Sequence, residues 1–274
     1  MFEQDRIVVR FDKRSHNLIL REAALDESNQ KMKRITLFSW GYWGWGNSVK
    51  KFVEATDAIE SARGYGSPIF ADIRIRRSVR AKGFNGNAFE KIVRAERYVW
   101  LKDLGNQAVA DGAGGIEIAN PKAAADLLDL AIKSAEDRRR VIFFCACQIP
   151  ARCHRSKVAR LVLREAKKRG LNLEIIEWPG GDPLEMNVEA PKTAIAALSR
   201  GLKYIPIGNR VDLARLGSVP WGSTVNLQNG SQSEPFVTGP ACFQVSQWYL
   251  PVLNLDDEVD RWRKVNGYVA RSSV

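Results

Sequence analysis

Between residues 35 and 178, short apolar runs alternate with stretches of helical period. Residues 35–38 (ITLF) form an apolar strand candidate. Asn47 then precedes Val49, Phe52, Val53 and Ile59, a capping residue followed by one apolar stripe, and Gly64 and Gly66 close that helix. Residues 68–75 (PIFADIRI) read as a second strand. Asn120-Pro121 starts another helix, a cap followed by proline at the first helical position, with Leu127, Leu128 and Ala131 in its stripe. The run VIFFCAC (141–147) is continuously apolar and bounded, the pattern of a strand buried on both faces of a parallel sheet. A helix beginning near His154 carries Val158, Leu161 and Val162 and stops at Gly170; LEIIEW (173–178) is the next strand. Strands and helices alternating at these lengths predict βαβ units. The expected fold is α/β, a Rossmann-like parallel sheet flanked by helices over 34–180.

The flanks differ. Residues 7–11 (IVVRF) suit a short strand within an N-terminal extension, 1–33. PGGDPLEMNVEAP (179–191) is rich in Pro and Gly and reads as a linker. Beyond it, 192–274 holds a helix candidate at 192–202, then short β-type runs at 204–207, 224–227, 235–237, 242–245 and 248–253. Their turn spacing predicts a smaller β-rich C-terminal module, with a final helix at 256–265.

In an open parallel sheet, ligands bind beyond the carboxyl ends of the strands. Three unusual loops leave those ends. SWGYWGWGN (39–47) alternates aromatics with glycines; Tyr42, Trp43 and Trp45 are candidate platforms for stacking bases, or a lid over the sheet edge. The second loop carries Asp72, Arg74, Arg77 and Arg80. CQIPARCHRS (147–156) leads into a helix N-terminus, where unpaired N–H groups and the dipole favour anions, and Arg152 and Arg155 flank that turn.

Charge strengthens this reading. The 274 residues hold 42 Lys+Arg against 31 Asp+Glu, a net charge of +11. Eleven Lys/Arg and a single acid, Glu165, fall between Arg138 and Arg169. A field focused this way favours phosphate-bearing partners, nucleic acid or nucleotide. No apolar run reaches the roughly eighteen residues that a membrane span needs, so no membrane partner is expected. The opening residues lack the apolar core of a secretory signal, and three of the four cysteines crowd into nine residues unlike a disulfide framework. A cytoplasmic setting is the expectation.

Those cysteines sit where chemistry is expected. Cys153 at a helix N-terminus beside His154 would have its thiolate stabilised, making a nucleophile with a neighbouring imidazole, or simply a capped helix with an ordinary thiol. Asp72 in an arginine-rich cleft would stay ionised and suit orienting a group. Cys145, Cys147, Cys153 and His154 also make up a three-cysteine, one-histidine inventory. Their C-x-C-x5-C-H spacing matches none of the usual zinc ribbons or fingers, and Cys145 reads as core packing, so no metal ligand or cofactor is assigned.

ITLFSWGY, ADIRIRRS, KDLGN (102–106) and VIFFCACQIPARCHRSKVARLV together resemble the domain-of-unknown-function 488 family over about 35–178. The matching positions are Gly41-Tyr42, Asp72-Ile73-Arg74, Leu104-Gly105 and Cys145 with Cys153-His154-Arg155. Isoleucine stands where the family has valine between Asp72 and Arg74, and aromatics fill the first loop. The resemblance implies an α/β fold with a shared pocket at these loops and implies no particular activity.

The expected function is therefore a nucleic-acid- or nucleotide-associated protein with a phosphate-binding cleft at the sheet edge. Arg74, Arg77, Arg80, Arg152 and Arg155 would grip phosphate, while Cys153, His154 and Asp72 would hold any chemistry. One alternative is a small-molecule thiolate enzyme of sulfur-transfer or phosphatase-like layout. Cys147 to Arg152 spans four intervening residues, one short of the common phosphatase loop. Another is a binding module with structural cysteines.

Overall fold

The computed structural model describes residues 8–11, 18–21, 34–45, 48–147, 149–180, 182–189, 192–201, 204–207, 218–238, 242–244 and 247–253. The chain divides into two compact units, 1–33 and 34–274. In the first, β1 (Val8–Phe11) and β2 (Leu18–Arg21) form an antiparallel pair.

The second unit is built on a five-stranded, all-parallel sheet. Its strands are β3 (Ile35–Gly41), β4 (Gly66–Asp72), β5 (Tyr98–Trp100), β6 (Arg139–Cys145) and β7 (Leu173–Glu177), in the order β5-β4-β6-β3-β7. Helices α1 (Val49–Ala62) and α2 (Ala88–Val93) precede β4 and β5; a short α3 (Gln107–Ala110) and α4 (Ala124–Glu136) precede β6; α5 (His154–Lys168) leads to β7. β6 is apolar from Val141 to Cys145, and the reason is visible in its packing. Val141, Phe143 and Cys145 join the core under α4 and α5, whereas Ile142 and Phe144 join the core on the α1 and α2 face. From Val141 on, period-two alternation sends every side chain into one covered face or the other, whereas buried Arg140 at the start of the strand is paired with Glu60 and Asp182.

Local signals explain the ends. The Asn120 side chain accepts from the Lys122 N–H at 3.1 Å, Pro121 opens a tight turn, and α4 follows. Gly170 lies at φ +65° just past α5, a backbone state that costs glycine little. Asn47 lies outside the described residues; Ser48 stands at the N-cap of α1 without a side-chain capping bond.

The C-terminal region forms a mixed sheet. It comprises β8 (Glu185–Glu189), β9 (Tyr204–Ile207), β10 (Thr224–Asn229), β11 (Gln232–Thr238), β12 (Cys242–Gln244) and β13 (Gln247–Leu253), with α6 (Lys192–Ser199) against it. The order is β12-β13-β11-β10-β8, with β9 also paired to β13. The stretch read as a linker contains β8, which pairs in parallel with β10. Its Glu-Met-Asn-Val-Glu alternation is a half-buried strand pattern, and the flanking Pro and Gly residues are turns around it. Val188, Ile195, Val225 and Leu227 share one core with Phe38, Phe52 and Trp178, so this sheet packs onto the α1 side of the parallel sheet. The helix expected at 256–265 lies outside the described residues. Among the described residues, no helix is long and apolar enough to cross a membrane.

Candidate functional site at the carboxyl edge of the sheet

Because all five strands are parallel, the loops after β3, β4 and β6 emerge on one edge. β3 and β6 are neighbours, and the Tyr42 N–H donates to the Cys145 carbonyl at 3.1 Å as both strands end. Gly41 makes this closure feasible. A Cβ there would lie 1.9 Å from the Cys147 carbonyl oxygen and 2.8 Å from an Arg155 guanidinium nitrogen. The chain after β6 therefore folds back over a position that only glycine can occupy.

That fold-back gathers the sulfur and imidazole groups. Cys145 and Cys153 are both buried, with Sγ atoms 2.9 Å apart. Cys153 is the N-cap of α5, and its sulfur accepts the Arg155 N–H at 3.4 Å; the Cys145 sulfur accepts the Cys147 N–H at 3.3 Å. His154 Nδ1 lies 3.7 Å from the Cys153 sulfur, while Nε2 is 2.9 Å from the Ile73 carbonyl. A carbonyl only accepts, so Nε2 carries the proton and Nδ1 presents its lone pair to the sulfurs. Hydrogen bonds from Cys145 and then Cys147 pull the Cys153 thiol far below its ordinary value against the effect of burial, with the Arg155 charge adding to the pull. Burial pushes the Cys145 thiol the other way, well above its ordinary value.

Arg155 is fully buried beneath this cluster. Its guanidinium donates to the Ser39 hydroxyl at 3.0 Å, to the Cys147 carbonyl at 2.9 Å, and to the Glu177 carboxylate. Glu177 was not singled out from the sequence. An acid inside the apolar run LEIIEW was the available signal, because a carboxylate on a sheet strand needs a buried partner.

Asp72 does not belong to this cluster. Its Oδ1 accepts from the Arg74 N–H at 3.0 Å and from Arg74 Nε at 2.8 Å; its Oδ2 accepts from Arg74 at 2.5 Å and from the Tyr98 hydroxyl at 2.7 Å. Tyr42, Phe84 and Tyr98 around it belong to the α1 and α2 core, whereas Cys145 and Cys153 belong to the α4 and α5 core. His154 is oriented by the Ile73 carbonyl, so a Cys153–His154–Asp72 relay is not assembled.

The arginines of the expected cleft are largely engaged internally. Arg74 is buried, bonded to Asp72, to the Phe84 carbonyl at 2.8 Å and to the Tyr42 hydroxyl at 3.2 Å. Arg77 pairs with Glu90 at 2.9 Å and lies over the Trp100 ring. Arg80 and Arg152 are exposed, and neither forms an ion pair among the described residues. Of the aromatics, Tyr42 stacks on Phe84 with ring centroids 3.9 Å apart, and Trp45 packs edge-on against Trp40 and Phe52. Both are core, so only Trp43, 56% exposed, remains available to a ligand. Gly44, next to it, lies at φ +82° in a turn.

Sequence reasoning did not single out a groove of about 620 Å³ between α5 and the segment before α4. Lys157, Arg160 and Arg164 line one wall together with Leu161; Ile116, Ile118 and Pro121 line the other, and Glu117 is its single acid. The i, i+3, i+7 spacing of the three cations was the readable signal for one helix face. No protein-family model, curated protein or solved structure matches the chain.

Proposed function

We propose that this chain binds nucleic acid through the outer face of α5, as a phosphate-tracking protein rather than through a cleft above the strands. The observation that carries this reading is the groove lined by Lys157, Arg160 and Arg164. Arg160 and Arg164 are exposed and form no ion pair among the described residues. Lys157 donates to the Ile116 carbonyl, which leaves its charge unneutralised. From Lys157 to Arg164 the helix rises about 10 Å, close to three phosphate-to-phosphate steps of about 3.4 Å along one strand. The apolar opposite wall gives a base or sugar a dry surface. Exposed Arg152 at the entry to α5 and exposed Trp43 on the same sheet edge extend the reading towards a single strand. The resemblance to the domain-of-unknown-function 488 family belongs to this proposal, as a shared loop architecture.

Catalysis by Cys153 is not part of it. The thiol is 2% exposed beneath the loop, out of reach of a substrate in this arrangement. Fluorescence anisotropy with labelled single-stranded DNA, RNA and duplex across a salt series tests the reading. Three neutralised phosphates give a slope near −2 on a single strand, and Arg160→Glu with Arg164→Glu lowers affinity roughly tenfold and flattens the slope. Equal affinity in the double variant, or no binding at low salt, overturns it.

A further inference from the structure

Three thiols and one imidazole converge at the end of β6, and the nucleic-acid reading uses none of them. Buried cysteines that only fill space behave as small apolar side chains and need no mutual contact. Here the Cys145 and Cys153 sulfurs are 2.9 Å apart, closer than two sulfur atoms rest without something shared between them. Cys145, Cys153 and His154 bring their ligand atoms within 4.8 Å of one another. Cys147 lies two residues past Cys145 at the open end of the strand, exposed, with its backbone N–H on the Cys145 sulfur, so a short movement of the loop would bring its thiol in as a fourth ligand.

Three further features favour a cation over a simple thiol pair. The imidazole is held by its Nε2–H on the Ile73 carbonyl, which fixes the lone pair of Nδ1 toward the sulfurs; ligating histidines are oriented in this way. Peptide N–H groups from Cys147 and Arg155 point at the Cys145 and Cys153 sulfurs, stabilising thiolate over thiol. A disulfide would use two of these groups and leave the third thiol and the imidazole unexplained. We infer that Cys145, Cys147, Cys153 and His154 form a tetrahedral site for one borderline-soft divalent cation of the zinc class.

Binding forms three S–metal bonds and one N–metal bond, the protons still held on the sulfurs pass to solvent, and no redox change occurs. The loaded centre, three thiolates and a divalent cation, carries one negative charge, and buried Arg155 lies beside it to offset that charge. At a Zn–S distance of about 2.3 Å, tetrahedral sulfurs stand about 3.8 Å apart, so loading spreads Cys145 and Cys153 by just under 1 Å. Cys147 and Ile149 are exposed, so the loop side of the cluster has room for this spread. The cation would clamp the end of β6 to the start of α5, fixing the helix that carries Lys157, Arg160 and Arg164. The inference stands independently of nucleic-acid binding.

The test uses the full chain, purified without chelator and assayed for bound metal, then stripped and titrated with Co²⁺ alone. The expected result is one cobalt per chain, with thiolate-to-cobalt charge-transfer absorption and the visible bands of tetrahedral coordination, both abolished by stoichiometric Zn²⁺. Cys147→Ser, at an exposed position the fold tolerates, and His154→Ala each weaken Co²⁺ binding by more than the roughly 10–100-fold that a supporting residue costs. Cys242→Ser binds as the parent does. The inference is overturned by absence of charge-transfer absorption at stoichiometric cobalt, by parental affinity in Cys147→Ser or His154→Ala, or by a resting Cys145–Cys153 disulfide found in metal-free protein by mass spectrometry.

Discussion

Two buried arginines stand on opposite faces of the same sheet edge, and they are held very differently. Arg74 closes a knot with Asp72, and the carboxylate also receives the Arg74 N–H and the Tyr98 hydroxyl. Arg155 reaches across β3 to Glu177 and Ser39, and also holds the Cys147 carbonyl. The first knot is self-sufficient and rigidifies the α1 and α2 face. The second holds up a loop whose sulfurs have unfinished chemistry. Similar residue types at one edge thus divide into a structural side and a candidate ligand side, and what separates them is what else each acid can bond to.

The largest effect expected from breaking this comparison is at Arg155. Arg155→Met removes the guanidinium opposite Glu177, whose carboxyl is already pushed up by burial despite that arginine. The expected loss is about 5 kcal/mol by urea denaturation, near the top of the range for orphaning a buried charge. Arg74→Met should cost less, about 3 kcal/mol, because Asp72 keeps the donation from Tyr98 and from the backbone. Equal losses would mean that the second donors do not matter and that the two knots are equivalent.

A smaller effect is expected at Gly41, which belongs only to the cysteine side. Gly41→Ala sets a methyl group against the Cys147 carbonyl and the Arg155 guanidinium. Overpacking of this kind costs about 1–3 kcal/mol. It should also expose Cys145 and Cys153 to alkylation in the folded state, because the loop must lift. Unchanged thiol protection by mass spectrometry would mean that the loop is held elsewhere.

How much of this was readable beforehand follows from what periodicity encodes. The apolar run of β6, the Asn120-Pro121 start and the Gly170 stop are local signals, and the structure has each of them in place. The parallel sheet followed from their alternation. β8 was hidden because its two apolar residues are outnumbered by flanking turn residues. At the site, sequence brought Cys153, His154 and Arg155 to the right edge, since a helix start on a parallel sheet can lie nowhere else. It could not separate the two faces. Asp72 was grouped with Cys153 and His154 because all three fall at one sheet edge, yet one-residue alternation sends Asp72 to one core while Ile73 orients His154 on the other. Nor could it tell a gripping arginine from a buried one, because that depends on acids as distant as Glu177.

The smallest and sharpest probe is Tyr98→Phe, which subtracts one hydrogen bond from the self-sufficient knot. The Tyr98 hydroxyl donates to Asp72 at 2.7 Å, and losing a bond to a charged group costs about 1.5–3 kcal/mol. Burial first, then the neighbouring Asp72 charge, raises the Tyr98 pKa above its ordinary value of about 10. A raised folded-state pKa contributes stability that is complete below the unfolded value and is lost as pH climbs from about 10 towards the folded one. The parent should therefore lose stability through that alkaline window faster than Tyr98→Phe, and the gap between them should narrow. Urea midpoints of both proteins at neutral pH and above pH 10 check this. A gap that stays constant with pH would mean that the hydroxyl does not anchor Asp72, and the Arg74 knot would then depend on its arginine as heavily as the Glu177 side depends on Arg155.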